Sequence, residues 1–293
     1  MDSKEKNREW LLPDAKGGAL KPGLYLVATP IGNLGDISVR ALDTLAAVDG
    51  VLCEDTRMTG KLLNAYGLKK KMSVYNDHSD EKARAQIIAR IGDGEALALV
   101  SDAGMPLISD PGYKLVSALQ AEGLHVTSVP GASAPLMALQ LSGLPSDRFS
   151  FVGFLPPKSV ARKSVLEDWK HSPGTLIAFE TAPRLLDALG DIRKTMGARR
   201  VAVVRELSKL HEEIICQDIE SLIAHYEEEG APKGEIVLVI EPSQERVYSD
   251  DEIEAMLKDA VKTMSTKDAA GFVAEQTGRA KKELYDLALG LAK

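Results

Sequence analysis

The chain has 293 residues, 44% hydrophobic and 27% charged, enough for a sizeable core, two domains and an appendage. With 36 basic against 43 acidic side chains its net charge is −7, which excludes a general nucleic-acid coating protein but leaves room for local basic surfaces. No apolar run approaches the length of a membrane span and no signal-peptide pattern is present, so the expectation is a cytoplasmic protein with no membrane partner. Cys53 and Cys216 are too far apart in sequence for a disulfide framework or a metal knuckle, and the five histidines lack HExxH spacing, so no metal is expected.

Residues 1–22 mix five basic and four acidic side chains with Gly17, Gly18, Pro13 and Pro22, and read as a mobile arm. Residues 24–28 form a short apolar run suited to a strand buried on both faces. The run enters the glycine-containing loop Thr29-Pro30-Ile31-Gly32-Asn33-Leu34-Gly35-Asp36. Asp36 is the expected N-cap of a helix with Ile37, Ala41, Leu45 and Val48 on its apolar face. The loop is not GxGxxG, and no GxxxxGK[ST] occurs, so Rossmann and P-loop readings lose ground. A second strand at 51–53 ends in Glu54-Asp55-Thr56-Arg57, charged groups where α/β sheets build sites, with a solvated turn carrying local ion pairs as the alternative. A third strand at 72–75 leads to Asn76-Asp77-His78-Ser79-Asp80, and a helix is expected over 81–91.

Residues 96–112 organise the chain. Their first half is another buried strand; their second, Ser101-Asp102-Ala103-Gly104-Met105-Pro106-Leu107-Ile108-Ser109-Asp110-Pro111-Gly112, cannot continue it. Pro111 is the expected first position of the next helix. Two carboxylates and no Lys or Arg make this loop a poor cradle for polyphosphate. They suit a ligand with an adenosine, an amino acid part and a positive centre, although an ordinary βα connection reads the same way. A fifth strand at 125–129 precedes Pro130-Gly131-Ala132-Ser133-Ala134 and another helix. The alternation predicts an α/β domain with a mostly parallel sheet.

A second α/β unit begins near Phe149, with strands expected at 149–154, 175–180, 200–204, 213–217 and 235–241 and helices at 160–170, 183–196 and 219–229. Glu180 and Arg184 flank a helix entrance, either beside a site or as a cap with a surface ion pair. After Pro242 the pattern changes to an amphipathic helix over 250–263, a helix opened by Ser265-Thr266-Lys267-Asp268, a turn at Thr277-Gly278-Arg279 and a last helix over 281–291. Two short helices around a glycine turn resemble a helix-turn-helix, although a small bundle packing on its own chain is the blander reading. From Gln244 onward, eight basic residues face ten acidic ones.

Five stretches, in order, resemble the ribosomal RNA small subunit methyltransferase I family, a branch of the tetrapyrrole-methylase-like class III methyltransferases. They are 28–36, Cys53-Glu54-Asp55-Thr56-Arg57, 101–112, Val129-Pro130-Gly131-Ala132-Ser133 and Phe179-Glu180-Thr181-Ala182-Pro183-Arg184-Leu185. The resemblance covers about residues 23–242, and the tail resembles the family's helical C-terminal domain. It implies a 23–131 α/β domain, a second over 132–242, a helical domain over 243–293, and S-adenosylmethionine in a cleft between the first two. It implies 2′-O-methylation of a cytidine in 16S ribosomal RNA near the decoding site, the small ribosomal subunit as partner, and a homodimer. Carried over by position, the cofactor contacts are Thr29, Pro30, Ile31, Gly32, Asn33, Ser101, Asp102, Ala103, Gly104, Met105, Ile108, Ser133, Ala134, Glu180 and Thr181. Two departures stand out: 75–79 lacks a second histidine and a glutamate usual there, and Phe179 replaces a common tyrosine.

Methyl transfer from a sulfonium is an in-line displacement, in which positioning supplies up to roughly 7–11 kcal/mol and a base about 10²–10⁴-fold. Glu54, Asp55 and His78 are the candidate bases from strand-end placement. Arg57 and Arg184, with Arg279, Lys281 and Lys282 in the tail, are candidates for RNA phosphates. A tetrapyrrole carbon methylase and a non-enzymatic cofactor sensor are the competing readings.

Overall fold

The computed structural model describes residues 20–76, 80–243 and 248–291. They fall into two compact units, the first ending at Ser133 and the second beginning at Ala134.

The first unit is a parallel sheet of β1 (Gly23–Val27), β2 (Gly50–Cys53), β3 (Met72–Val74), β4 (Ala96–Val100) and β5 (Val126–Val129), in the order β3-β2-β4-β1-β5. The two-residue period of each strand sends Tyr25, Val27, Val51, Cys53, Ala98 and Val100 to one face. There they bury against Ala41 and Leu45 of α1 (Val39–Ala47) and Leu63 of α2 (Thr56–Ala65). Leu24, Leu52, Leu97 and Leu99 face the other way, onto Ile87 and Ile91 of α3 (Glu81–Gly92) and Leu115 and Leu119 of α4 (Tyr113–Ala121). Each such leucine, fully withdrawn from water, contributes roughly 1.5–3 kcal/mol, which is why these strands read as unbroken apolar runs. β1 and β4 are neighbours, yet the chain leaves β1 for a helix on one face and β4 for a helix on the other. This is a topological switch point, where open α/β sheets leave a crevice at the strands' carboxyl ends.

The second unit opens with α5 (Ala134–Ser142) and contains β6 (Phe149–Phe154), α6 (Ser159–Trp169), β7 (Thr175–Thr181), α7 (Leu185–Met196), β8 (Arg200–Arg205), β9 (Glu213–Asp218), α8 (Ile219–Glu229) and β10 (Glu235–Ile240). Its sheet, in the order β6-β7-β10-β8-β9, is mixed: β6 and β7 are parallel, and every other pair is antiparallel. Leu166, Leu189, Ile192, Val203, Leu222 and Leu238 share its core. A buried ion pair joins α6 to α7: Arg162 Nη2 lies 2.7 Å from Asp191 Oδ2, and Ser159 and Lys163 engage the other oxygen. Burial alone would raise the Asp191 pKa, but the hydrogen bonds from Ser159, Arg162 and Lys163 outweigh it and hold the carboxyl below its ordinary value.

The tail forms α9 (Asp250–Ala260), α10 (Thr266–Thr277) and α11 (Lys281–Leu291), with a core of their own from Ile253, Leu257, Ala270, Val273, Leu284 and Ala288. Ser249 and Glu252 complete a capping box, Ser265 caps α10 as expected, and Gly278 ends α10 in the left-handed conformation at φ +70°.

Two expected helix starts are corrected. Asp36 does not cap α1; it lies in a 3-10 turn, Leu34–Asp36, opened by Asn33, and Ser38 is the cap, accepting from Ala41 N–H at 3.1 Å. Pro111 is not in α4. Gly112, at φ +134°, makes the turn that a side chain would resist, and the helix starts at Tyr113. A Cβ on Gly112 would meet Leu99 and Leu107 at 2.9 Å. Residues 1–19 of the expected arm lie outside the described residues; Leu20 packs onto the first core.

Candidate functional site

The loops after β1 and β4 are joined at the switch point. Thr29 and Gly104 exchange both backbone hydrogen bonds, at 2.9 and 3.1 Å, as an isolated antiparallel pair. The Thr29 hydroxyl donates to Ser101 O at 3.2 Å, and the Ser101 hydroxyl donates to Gly104 O at 3.2 Å. Thr29 and Ser101 are buried, so these bonds satisfy polar groups that would otherwise be costly. Gly104 sits at φ +81°, and a Cβ there would lie 3.1 Å from Ile31 Cγ2 and 3.5 Å from Ala132 O. The positive φ favours glycine here, and the contact with Ile31 adds to the cost of any side chain. Leu107 and Ser109 also hold positive φ, at 72° and 67°, and so carry backbone strain at this crevice. The loop after β5 closes in as well, since a Cβ on Gly131 would come within 2.8 Å of the Ala28 Cβ. Thr29, Ile31, Ser101, Gly104 and Ala132 thus belong to one constellation, with Asp102, Ala103 and Ile108 exposed on its surface.

The carboxylates at this edge differ. Asp55 caps α2 by accepting from Arg57 N–H at 2.8 Å, and the Arg57 guanidinium lies 2.6 Å from its Oδ2. The Arg57 side-chain and backbone hydrogen bonds hold the Asp55 carboxyl down at about 2. A carboxylate so stabilised is a weak base. Asp102, although its side chain reaches solvent, shows the opposite shift: partial desolvation by the surrounding loops first, then the Asp55 charge, push its pKa above the ordinary value, against a hydrogen bond from the Asp55 backbone. Glu54 is half-buried beside them and is engaged by its own interactions. His78 lies outside the described residues.

In the second unit, Glu180 is buried at the end of β7. Its Oε1 accepts from Thr181 N–H at 2.7 Å and from Arg184 Nη2 at 2.6 Å, while Arg184 Nε donates to the Thr181 hydroxyl at 2.9 Å. Its Oε2 is buried with no hydrogen-bond partner among the described residues. Such an orphaned acceptor is costly unless a ligand N–H or O–H meets it. Arg184, a candidate for RNA phosphates, is also the counter-ion of this buried carboxylate. Phe179, on the other side of the strand, packs edge-on to Phe151 with ring centres 4.9 Å apart.

Of the three tail cations, Arg279 bridges Asp250, at 3.0 Å, and Glu283, so its charge is spent within the helical unit. Lys281 and Lys282 are exposed at the start of α11. Among the described residues no cluster could hold a metal ion, and no helix is long and apolar enough to cross a membrane.

Comparison with known proteins agrees with this architecture. The family model described as Tetrapyrrole (Corrin/Porphyrin) Methylases matches residues 23–223, and that of the RsmI C-terminal HTH domain matches residues 248–292. The protein of Erythrobacter litoralis named Ribosomal RNA small subunit methyltransferase I is 52% identical over 95% of this chain and 98% of its own. Those of Mesorhizobium japonicum and Escherichia coli O157:H7, with the same name, are 45% identical (91% of each chain) and 42% identical (91% and 94%). The chain belongs to the ribosomal RNA small subunit methyltransferase I family. It is accordingly a methyltransferase built on the tetrapyrrole methylase fold. Two solved structures share that fold: a diphthine synthase, at TM-score 0.57 and 18% identity over 79% of this chain and 93% of its own, and the methyltransferase CobJ, at 0.55 and 13% over 78% and 97%.

Asp102, expected as a cofactor contact, has electrostatics that set it apart from Asp55. The signal was available: it is the carboxylate immediately after β4, beside the strand that ends in Glu54 and Asp55. The orphaned oxygen of Glu180 had no sequence signal, because only the fold decides which of two carboxylate oxygens finds a donor.

Proposed function

We propose that this protein transfers the methyl group of S-adenosylmethionine to the 2′-hydroxyl of a cytidine in 16S ribosomal RNA, near the decoding site, as a cytoplasmic homodimer. The observation that carries the reading is the near-full-length identity with relatives named for small-subunit ribosomal RNA methylation, through both the fold and the C-terminal unit.

The residues present fit that cofactor. The loops at 29–33 and 101–108 carry carboxylate and backbone groups and no Lys or Arg, a donor set suited to a cationic ligand and unsuited to polyphosphate. Thr29, Pro30, Ile31, Gly32 and Asn33, the 101–108 loop, and Ser133 with Ala134 would hold it. Glu180 Oε2, kept in place by Arg184 and Thr181, is an acceptor for an amino or hydroxyl hydrogen of the ligand. When bound, S-adenosylmethionine supplies an electrophilic methyl group on a sulfonium. The chain's own part is to align the ribose hydroxyl and take its proton. Asp102 is the carboxylate suited to that proton, because its environment raises its basicity while Asp55 is tied to Arg57. Lys281 and Lys282 offer phosphate contacts on the tail.

The test is calorimetric titration with S-adenosylmethionine, followed by methylation of isolated small subunits. Micromolar binding with transfer to RNA supports the reading; binding without transfer to any RNA would overturn it.

A further inference from the structure

Residues 56–76 contain Arg57, Lys61, Lys69, Lys70 and Lys71 and not one Asp or Glu, in a chain that is acidic overall. The fold gathers this segment at one side of the first unit, as α2, the turn after it, and β3, the edge strand of the sheet. Arg57 and Lys61 are four residues apart on α2 and so share a helix face, and both are exposed. Lys69 and Lys71 are exposed at the entry to β3, with Lys70 between them turned inward, where its Nζ donates to Val48 O at 2.7 Å. Among the described residues Lys61, Lys69 and Lys71 form no ion pair, whereas Arg57 is held by Asp55 and Arg279 by Asp250 and Glu283. Acidic groups near this face include Asp55 at the start of α2 and Asp36, whose charge is felt by Tyr66. Arg57 opens α2 just after the carboxyl end of β2, where Asp55 meets Asp102, and Lys61 lies about 6 Å further along the helix. The Tyr66 hydroxyl donates to Leu34 O and fixes the far end of α2 to the loop that follows β1.

We propose that Lys61, Lys69 and Lys71 on the α2–β3 edge form a docking track for the phosphate backbone of the RNA substrate. The proposal rests on the RNA methyltransferase reading and adds a surface to it in the first unit, apart from the C-terminal helices. Charge complementarity selects the occupant: exposed cations with no ion-pair partner among the described residues fit a chain of phosphates, and the mostly negative remainder of the protein repels one. Lysines also guard exposed edge strands against pairing, and that role would be served by a charge of either sign, glutamate included.

That difference gives the experiment. Binding of the full-length protein to isolated small subunits is measured against KCl concentration for the wild type, the triple variant Lys61→Glu/Lys69→Glu/Lys71→Glu, and the neutral set Lys61→Gln/Lys69→Gln/Lys71→Gln in case the charge reversal impairs folding. Each phosphate contact adds about 0.7–0.9 to the slope of log K against log salt. The neutral set is expected to flatten that slope by about 2, to weaken binding at 0.1 M salt roughly 10²-fold, and to raise KM for subunits while S-adenosylmethionine affinity stays unchanged. A wild-type slope with either folded variant overturns the track while leaving the methyltransferase reading intact. A wild type that methylates no RNA overturns that reading, and the track with it.

Discussion

Arg184→Ala separates a role at RNA from a role inside the fold. Glu180 has no exposed side-chain surface and Arg184 exposes 26% of its own, so the substitution leaves a buried carboxylate with the Thr181 N–H as its remaining anchor. Removing one partner of a fully buried pair costs roughly 3–5 kcal/mol; the solvent that reaches Arg184 reduces this to roughly 2–3 kcal/mol. For a unit the size of 134–293, that corresponds to a fall of about 5–10 °C in the melting temperature of its transition. Scanning calorimetry reads the shift, and titration with S-adenosylmethionine reads the second consequence, a loss of affinity as Glu180 loses its orientation. Glu180→Gln placed on top of Arg184→Ala is expected to recover most of the stability, because no buried charge remains, without recovering cofactor binding. An Arg184→Ala protein with unchanged melting and cofactor affinity, weakened only toward RNA, would refute the assignment.

Asp102→Asn is expected to lower kcat by about 10²–10⁴-fold, with the wild-type pH–rate profile rising through a pKa above the ordinary carboxylate range; Asp55→Asn, which keeps a good helix cap, is expected to retain activity. Because the folded Asp55 carboxyl is held at about 2 against 3.8 ordinarily, its stabilising contribution is present above about pH 4 and is lost as the pH falls toward 2, which acid titration by NMR would follow. Gly104→Val forces a β-branched side chain into φ +81° and against Ile31; a lower melting temperature and lost cofactor binding are expected together, and lost binding with unchanged melting would point to direct contact with the ligand. Cys53 is buried, and burial raises its thiol pKa, so native protein is expected to react rapidly with Ellman's reagent at Cys216 alone, Cys53 reacting only on unfolding.

The elements that position the crevice were legible because buried parallel strands announce themselves as short apolar runs between glycine and proline. β1, β2 and β4 match their expected positions to within a residue. Helix starts were less legible where two polar residues compete for one cap: Asp36 and Ser38 are both good caps, and the 3-10 turn opened by Asn33 decides for Ser38. The antiparallel half of the second sheet was hidden, since β8 and β9 are joined by a turn rather than a helix and local pattern does not fix strand direction. The charged residues were the least legible. Arg162, Asp191, Glu180 and Arg184 look like surface positions in sequence, and only tertiary packing brings Arg162 to Asp191 across 29 residues and closes water out of Glu180.

Ribose methylation itself is read by incubating the protein with methyl-labelled S-adenosylmethionine and isolated, unmodified small ribosomal subunits. Digestion of the RNA to nucleosides then locates the label. Label is expected in 2′-O-methylcytidine at one position of 16S RNA, incorporated about 10²–10⁴-fold more slowly by Asp102→Asn. Label on a base, on protein or on a tetrapyrrole added in competition, with none on a ribose, would contradict it.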